Sequence, residues 1–182
     1  MKGQDIVLLL KLVAMRKRDR AAGNPKDAIP SYSIRGLAGS TGISKSEIGL
    51  SLQRCFAAGL ASRDPKTDIP LPNLPALREF LAHGLRYVFP VKLGPAGWGI
   101  PTAWAAAGLG APVPEDRSLV PVWPTASGKT EGQAVEPLFA SVPDAAAQDA
   151  QFYAMLALTD ALRLAPAVGR EQATEALLAL VQ

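Results

Sequence analysis

Few residues of this chain carry side chains suited to catalysis, and those few stand apart in the sequence. His83 is the only histidine and Cys55 the only cysteine. Neither has a serine, a cysteine or a metal-ligand partner at a recognisable spacing. A single cysteine also excludes an internal disulfide and any zinc module built on cysteines. We therefore expect no enzyme, no cofactor and no bound metal.

A second chemical signal, the run Ala126 to Thr130 (ASGKT), looks like the end of a phosphate-binding loop. That motif needs a glycine where this chain has Trp123, and it needs a clean helix afterward. Gly132 and Pro137 interrupt such a helix. We therefore reject nucleotide binding at this run.

A stronger pattern lies between Tyr32 and Asp64. Ser44 and Glu47 form a capping box, in which the Ser44 hydroxyl accepts the Glu47 N–H and the Glu47 carboxylate reaches back. A helix is therefore predicted from Ser44 to Ala58, with Gly59 as its left-handed end. Its apolar face recurs at helical spacing: Ile48, Leu52, Cys55 and Phe56. Its opposite face stays available for a partner outside the fold: Ser46, Glu47, Leu50, Gln53 and Arg54.

Short elements flank this helix. A helix from Ile34 to Gly39, capped by Ser31 or Ser33, precedes it, and Thr41-Gly42-Ile43 turns the chain. In the short helix, we expect Ile34, Leu37 and Ala38 to face inward and Arg35 to face outward. Leu60 to Arg63 and Ile69 to Leu71 can pair as a hairpin, which Pro70 and Pro72 keep short.

Residues 33 to 63 resemble winged-helix transcriptional regulators of the MarR-like kind. The resemblance rests on the elements Leu37-Ala38, Thr41-Gly42-Ile43, Ser44 to Ala58 and Ala58-Gly59-Leu60, and it covers at most residues 1 to 72. It implies a mainly α fold with a small β wing, and a recognition helix placed in the major groove of DNA. Carried over by position, the DNA-binding residues are Arg16, Arg18, Arg35, Ser44, Lys45, Ser46, Gly49, Leu50, Gln53, Arg54, Arg63 and Lys66.

The residue types suit those roles. Gln53 can make a bidentate contact to adenine, and Leu50 can touch a thymine methyl. Lys45 or Arg54 would hold phosphates, and Gly49 would let the backbone approach closely. Gly49 also costs the helix about 1 kcal/mol, which motivates the idea of close approach.

Charge is distributed unevenly along the chain. Residues 1 to 66 hold 12 Lys and Arg against 5 Asp and Glu, a net of +7, whereas residues 67 to 182 hold 7 against 11, a net of −4. A basic module joined to an acidic remainder is typical of a DNA reader with a separate assembly or sensing part. Solvated surface charge is the alternative.

The N-terminal region predicts a helix over residues 4 to 15 that is apolar nearly all round, and such a helix must be buried on more than one side. The basic run Arg16 to Arg20 follows it. This run either grips phosphates or forms the polar end of the helix.

Residues 73 to 182 predict a helical region for dimerisation, or for binding an effector or a partner protein. A helix should run from Asn73 to His83-Gly84, and an ordered but irregular segment from 85 to 143, with a short strand over Leu85 to Phe89 and a helical turn over Pro101 to Ala107. Five aromatic residues of this region line a pocket for a ligand or partner, or simply pack: Tyr87, Phe89, Trp98, Trp104 and Trp123.

Two amphipathic helices should close the chain, the first capped by Asp144 and ending before Pro166, the second running from Glu171 onward. Their apolar stripes are Phe152, Met155, Leu156, Thr159 and Leu162 in the first, and Thr174, Leu177, Leu178 and Val181 in the second. Surplus apolar surface at both chain ends predicts a homodimer with interlocking terminal helices, or else a completed monomer core.

The leading hypothesis is a cytoplasmic transcriptional regulator, a repressor, that binds a palindromic operator in double-stranded DNA as a homodimer. We expect no interaction of this regulator with a membrane. The alternative is an antitoxin or adaptor that neutralises a partner protein through residues 73 to 182, with DNA binding absent or only autoregulatory.

Overall fold

The computed structural model describes residues 1–23, 29–109, 120–164 and 167–182. The chain folds as two compact units, Met1–Leu77 and Arg78–Gln182. The described residues are mainly helical with two small sheets, which confirms the expected class. The sequence placed the division at Pro72 and Asn73, a few residues before its observed position.

Unit 1 is built from helices followed by a hairpin. Its elements are α1 (Gly3–Ala22), a 3₁₀ turn (Ile29–Tyr32), α2 (Ile34–Thr41), α3 (Lys45–Ala57), β1 (Ala61–Arg63) and β2 (Pro70–Pro72). Helix α1 packs against α2, α3 and β2. The hairpin pairs Ala61 with Pro72 and Arg63 with Pro70, and it is short because proline cannot donate to a ladder.

Helix α1 is longer than predicted and is buried on all sides over much of its length. Every residue from Gln4 to Met15 is buried, which confirms the prediction drawn from its apolar periphery. Because this surface is already covered within one chain, α1 offers no free apolar face to a second copy. The argument for a dimer through this helix is therefore removed.

Unit 2 begins inside a continuous helical stretch. Its elements are α4 (Leu74–Glu79, which spans the division), a π-helical turn (Phe80–Gly84), α5 (Leu85–Val88), β3 (Ala96–Pro101), a 3₁₀ turn (Ala103–Ala105), β4 (Pro121–Pro124), β5 (Thr130–Ala134), α6 (Val142–Ala146), α7 (Ala150–Leu164) and α8 (Ala167–Leu180). The helix expected to end at Gly84 continues to Val88, and the expected strand over Leu85 to Phe89 is wrong. The reason is that Leu77, Leu81 and Leu85 continue one buried stripe at intervals of four residues.

Strands β3, β4 and β5 close into a small barrel that the sequence analysis did not predict. Strand β3 pairs antiparallel with both of its neighbours, and β4 pairs parallel with β5. The curl is tight enough that a Cβ on Gly99 would lie 2.2 Å from the Trp123 carbonyl oxygen. Lys129 leads into β5, so the clean helix that a phosphate-binding loop needs does not follow this run.

The C-terminal helices pair as expected. The side chains of Phe152, Met155 and Leu177 are fully buried, and α7 contacts α8. Helix α7 ends at Leu164, and Pro166 lies outside the described residues. Asp149, rather than Asp144, caps α7, because its Oδ1 accepts the Phe152 N–H at 3.0 Å.

Candidate nucleic-acid interface

The turn between α2 and α3 is held by residues that the sequence singled out. Ser33 caps α2 by accepting the Gly36 N–H at 3.1 Å, and Gly42 ends α2 in the left-handed region at φ 70°. Ile43 is 1% exposed and fills the core beneath the turn. These contacts fix the direction in which α3 leaves the turn. Ile34, expected to face inward, is 45% exposed because it stands at the first position of α2.

Helix α3 buries the face that its periodicity predicts. Ile48 and Cys55 are fully buried and Leu52 is nearly so. The Ser44 hydroxyl accepts the Glu47 N–H at 3.3 Å, and Gly59 takes φ 69° beyond the last turn, so that the Leu60 N–H reaches the Cys55 carbonyl at 3.0 Å. Both ends of the helix are therefore defined by local hydrogen bonds.

The second half of the predicted capping box has a different partner. The Glu47 carboxylate accepts a hydrogen bond from the buried Gln4 amide and lies 4.0 Å from Lys2 Nζ. Both partners belong to the start of the chain. Glu47 thus ties the first turn of α3 to α1.

Arg54 occupies a position that corrects the sequence analysis. It was assigned to the outer face as a phosphate contact, but its Nη2 lies 2.7 Å from Asp5 Oδ1 and its Nε 2.9 Å from Asp5 Oδ2. Ser51 Oγ donates to the same carboxylate at 2.5 Å. Asp5 is fully buried, so the inward rotamer of Arg54 neutralises a charge that would otherwise be uncompensated. Arg54 therefore stabilises the packing of α3 against α1 and is not free to bind a phosphate.

The pKa of Asp5 depends on two opposing effects, burial and the interactions with its partners. Burial alone raises the pKa of a carboxyl, but hydrogen bonds from Arg54 and Ser51, with the attraction of the guanidinium, outweigh burial and hold the pKa of Asp5 below 3.8. The carboxylate is therefore ionised at neutral pH. The ion pair clamps α3 onto α1.

What remains of the predicted site is a row of residues on the outer side of α3, of which only Ser46 has a side-chain hydrogen bond within the described residues, to the Ser44 hydroxyl at 3.2 Å. We call it the α3 outer face: Lys45, Ser46, Gly49, Leu50 and Gln53. Lys45 and Gln53 are exposed and form no side-chain hydrogen bond or ion pair within the described residues, and Leu50 is 46% exposed. Around Gly49 an added Cβ would meet nothing within 4 Å, so packing does not require a glycine there.

The hairpin beside α3 has no net formal charge, because Arg63 and Lys66 are matched by Asp64 and Asp68. Arg63 Nη1 lies 2.8 Å from Asp68 Oδ2, and its guanidinium stacks 5.2 Å from the Phe56 ring centroid. Asp64 Oδ1 accepts the N–H groups of Lys66 and Thr67, each at 2.9 Å, which shapes the turn. The Lys66 ammonium is exposed, whereas Arg63 is already paired.

The remaining predicted contacts are dispersed over unit 1. Arg35 is exposed on the first turn of α2. Arg16 and Arg18 lie on the last turns of α1, where Arg18 Nε is 3.4 Å from Asp19 Oδ1. Arg16 lines a groove with the 3₁₀ turn and the hairpin, and α3 contributes no residue to that groove.

The five aromatic residues of the predicted pocket have dissimilar surroundings. Trp123 is 1% exposed, and its Nε1 donates to Asp160 at 2.5 Å, so it belongs to the interior of unit 2. Tyr87 is 69% exposed and Trp98 is 59% exposed. Phe89 and Trp104 are partly buried. For Trp123 the packing alternative is the correct one.

Two buried carboxylates were missed. Asp160 accepts from Trp123, Thr102 and Arg163, and Asp5 organises α1 against α3. An aspartate directly before the apolar run that starts at Ile6, in a helix expected to be buried on more than one side, was a usable signal for Asp5, since such a charge needs a buried partner. Nothing in the sequence indicated which arginine would supply it.

Within the described ranges, no cluster of three or more His, Cys, Asp or Glu residues could hold a metal ion, and no described helix is long and apolar enough to cross a membrane. No family model, curated protein or solved structure matches this chain.

Proposed function

We propose that unit 1 is a winged helix-turn-helix of the MarR-like kind and that the chain is a DNA-binding transcriptional regulator, acting as a repressor. One observation carries the proposal. The α3 outer face presents a lysine and a glutamine that have no hydrogen-bonding partner among the described residues, together with the half-exposed Leu50, and the ion pair between the buried Asp5 and the partly exposed Arg54 clamps this helix from behind. A rigid helix with free polar side chains is what reading base edges requires.

The charge balance supports a polyanionic partner for this unit. Residues 1 to 77 hold 12 Lys and Arg against 6 Asp and Glu, a net of +6, whereas residues 78 to 182 hold 7 against 10, a net of −3. Phosphate neutralisation supplies most non-specific DNA affinity. Unit 1 is therefore the part of the chain expected to meet DNA.

Each position of the α3 outer face has an assigned role. Gln53 reads adenine through two hydrogen bonds, Leu50 contacts a thymine methyl, and Lys45 holds a phosphate at the start of the helix. Gly49 admits the backbone close to the groove. Arg54 supports these residues indirectly, because its ion pair fixes the helix that carries them.

We also propose that two copies bind one operator. A single recognition helix reaches about three or four base pairs, too few to define a unique operator. Two copies related by a two-fold axis would read half-sites about 10 base pairs apart. Sedimentation of the chain with and without its selected DNA measures this stoichiometry.

Selection of bound sequences from a random DNA pool by the full chain tests the function. The expected result is a recurrent motif with two inverted half-sites. Gln53→Ala should relax the preference at one base pair per half-site, by about 1–3 kcal/mol of discrimination. Gln172→Ala, an exposed glutamine of unit 2, is the matched control. The proposal fails if the pool shows no enrichment, or if Gln53→Ala selects the same motif with unchanged preference.

A second candidate function has its own observation. Tyr87 and Trp98 expose most of their side chains in unit 2, and large aromatic residues are enriched at protein interfaces. An antitoxin or adaptor would use them to hold a partner protein. Co-expression with the product of a neighbouring gene tests this, since the complex should weaken in Trp98→Ser but not in Gln53→Ala.

A further inference from the structure

The outer face of strand β3 is only partly covered within unit 2. Trp98 and Ile100 lie two positions apart on β3, so their side chains leave the same face of the strand. Trp123, which pairs with Ile100 across the sheet, is buried and meets the Tyr153 ring of α7 edge to face, with 5.9 Å between the ring centroids. Helix α7 therefore covers this face beside Ile100, whereas Trp98 remains exposed.

A shallow groove lies at the border of this cover. It has a volume of about 410 Å³ and is bounded by Ile100, residues 146 to 150 at the junction of α6 and α7, and Tyr153. The Tyr153 hydroxyl donates to the Pro101 carbonyl at 2.8 Å, which holds the ring against β3. Three of the other lining residues are alanines, so the floor is apolar and low. The groove therefore has room for one large apolar side chain, such as that of phenylalanine.

The chemistry beside Trp98 is different. Glu131 on β5 lies directly opposite Trp98, and opposite residues of an antiparallel pair leave the same face with their Cβ atoms about 4.5–5.5 Å apart. The Glu131 carboxylate is exposed and forms no hydrogen bond or ion pair among the described residues. An indole face attracts a cation through its ring electrons, and a neighbouring carboxylate attracts it through charge. This end of the face therefore suits a lysine or arginine side chain.

The spacing of these two features predicts the form of a partner. Strand β3 is paired on both sides, with β4 and with β5, so a partner is held by side chains rather than as an added strand. Ile100 and Trp98 are two residues apart, about 7 Å along the strand. An extended partner segment also advances about 7 Å in two residues, so its side chains two positions apart can reach both features.

We propose that this surface, which we call the β3 outer surface (Trp98, Ile100, Glu131 and the groove), binds an extended segment of a partner protein. The segment carries a large apolar side chain for the groove and, two residues away, a lysine or arginine that lies on Trp98 beside Glu131. A basic segment also complements the net charge of −3 on unit 2. Binding at this surface is independent of DNA binding by unit 1, and it rests on the second candidate function only in requiring that a partner protein exists.

Lys129 gives the surface an opposite possibility. It is the only lysine or arginine within residues 96–101 and 121–134, it is exposed, and it directly precedes β5. An acidic partner would use Lys129 where a basic partner uses Glu131. The two kinds of partner are therefore separated by which of these two residues binding requires.

NMR titration of the full chain with the pentapeptide Gly-Phe-Ser-Arg-Gly, blocked at both ends, provides the test. The peptide should bind in the submillimolar to millimolar range and shift the indole N–H signal of Trp98 and the amide signals of Gln148 and Ala150. Citrulline in place of the arginine keeps the shape without the charge and should weaken binding about threefold to tenfold. Alanine in place of the phenylalanine should weaken it about tenfold. The absence of these shifts at millimolar peptide, or equal binding of the citrulline peptide, overturns the proposal.

Variants assign the charge. Glu131→Gln should weaken binding of the arginine peptide about threefold to fivefold and leave the citrulline peptide unchanged, whereas the matched Lys129→Gln should weaken neither. Glu131→Lys should reverse the preference, so that a peptide with glutamate in place of the arginine binds more tightly than the arginine peptide. Weakening by Lys129→Gln but not by Glu131→Gln would overturn the proposal in favour of an acidic partner.

The peptide experiment and the co-expression experiment fail separately. Peptide binding as expected, with no complex from co-expression, refutes the antitoxin or adaptor function for that neighbouring product and leaves the β3 outer surface supported. A co-expressed complex that Glu131→Lys leaves at full strength supports the second candidate function and overturns this surface as its binding site.

Discussion

At the scale of single residues, the Asp5–Arg54 pair is the contact on which the candidate site depends. Replacing Asp5 with Asn leaves the Arg54 guanidinium without its counter-charge and turns one of the two oxygens that accept from Arg54 and Ser51 into an amide donor. Breaking one partner of a buried pair costs about 3 kcal/mol or more. We expect Asp5→Asn to lower the free energy of unfolding of unit 1 by about 3 kcal/mol, measured by urea unfolding. Asp68→Asn, which breaks the exposed pair with Arg63, should cost less than about 1 kcal/mol.

The same pair predicts how stability depends on pH. The folded pKa of Asp5 lies below its ordinary value of 3.8, so the pair contributes stability above that pH and loses it as pH falls through the folded pKa. The difference in free energy of unfolding between wild type and Asp5→Asn should therefore be largest near neutral pH and shrink below about pH 4. Urea titrations across this range measure it. A difference that stays constant with pH would contradict the assignment of charge to Asp5.

Cys55 offers a second test at this scale. It is the only cysteine, it is fully buried, and burial together with the nearby Asp5 charge raises its pKa to about 12. The thiolate that reacts with alkylating agents is therefore almost absent at pH 8. Iodoacetamide should leave the native chain unmodified over hours and label it rapidly in urea, as seen by mass spectrometry. Fast labelling of the native chain would show that α3 opens readily from α1.

At the scale of elements, α3 was predictable because its signals are local. Ser44 and Gly59 mark its ends within a few residues, and Ile48 and Cys55 mark its face by spacing alone. The orientation of Arg54 was not predictable, because its partner Asp5 lies 49 positions away and only the packing of α1 against α3 brings them together. Helical spacing predicts that Arg54 faces outward, but its ion pair with the buried Asp5 carboxylate holds the side chain inward.

The barrel of β3, β4 and β5 shows the opposite case. Strands β3 and β4 carry proline at their ends, and β3 and β5 contain glycine, and both residue types are the usual signals against strands. They form because Gly99 has no Cβ, so the β4 backbone can approach closer to it than a Cβ would allow. The favourable contact is between residues distant in sequence, so no local sequence pattern predicts it.

Gly49 lies inside helix α3, where a glycine lowers the stability of the helix. An added Cβ there meets open space, so Gly49→Ala should stabilise α3 by about 0.5–1 kcal/mol, the usual gain from replacing a helical glycine. If the backbone at Gly49 approaches a DNA groove as proposed, the same change should weaken DNA binding. Thermal unfolding and a DNA-binding titration measure the two effects. Gly39→Ala in α2, where an added Cβ also meets nothing, should stabilise without weakening binding.

At the scale of the whole molecule, the two units differ in charge as well as in fold. If unit 1 holds DNA through phosphates, affinity must fall steeply with salt because bound counterions are released. Each lost phosphate contact lowers the slope of log affinity against log salt by about one. The molecule thus contains both the basic half that should show this effect and an acidic half that should not.

Lys45→Gln and Lys66→Gln should each reduce that slope by about one, because both ammoniums are exposed in unit 1 and neither is paired among the described residues. Lys92→Gln removes the same charge from an exposed lysine of unit 2 and should leave the slope unchanged. Fluorescence anisotropy of labelled DNA at several salt concentrations measures all three. If Lys92→Gln lowers the slope as much as Lys45→Gln does, affinity follows net charge rather than the α3 outer face, and recognition by that face is refuted.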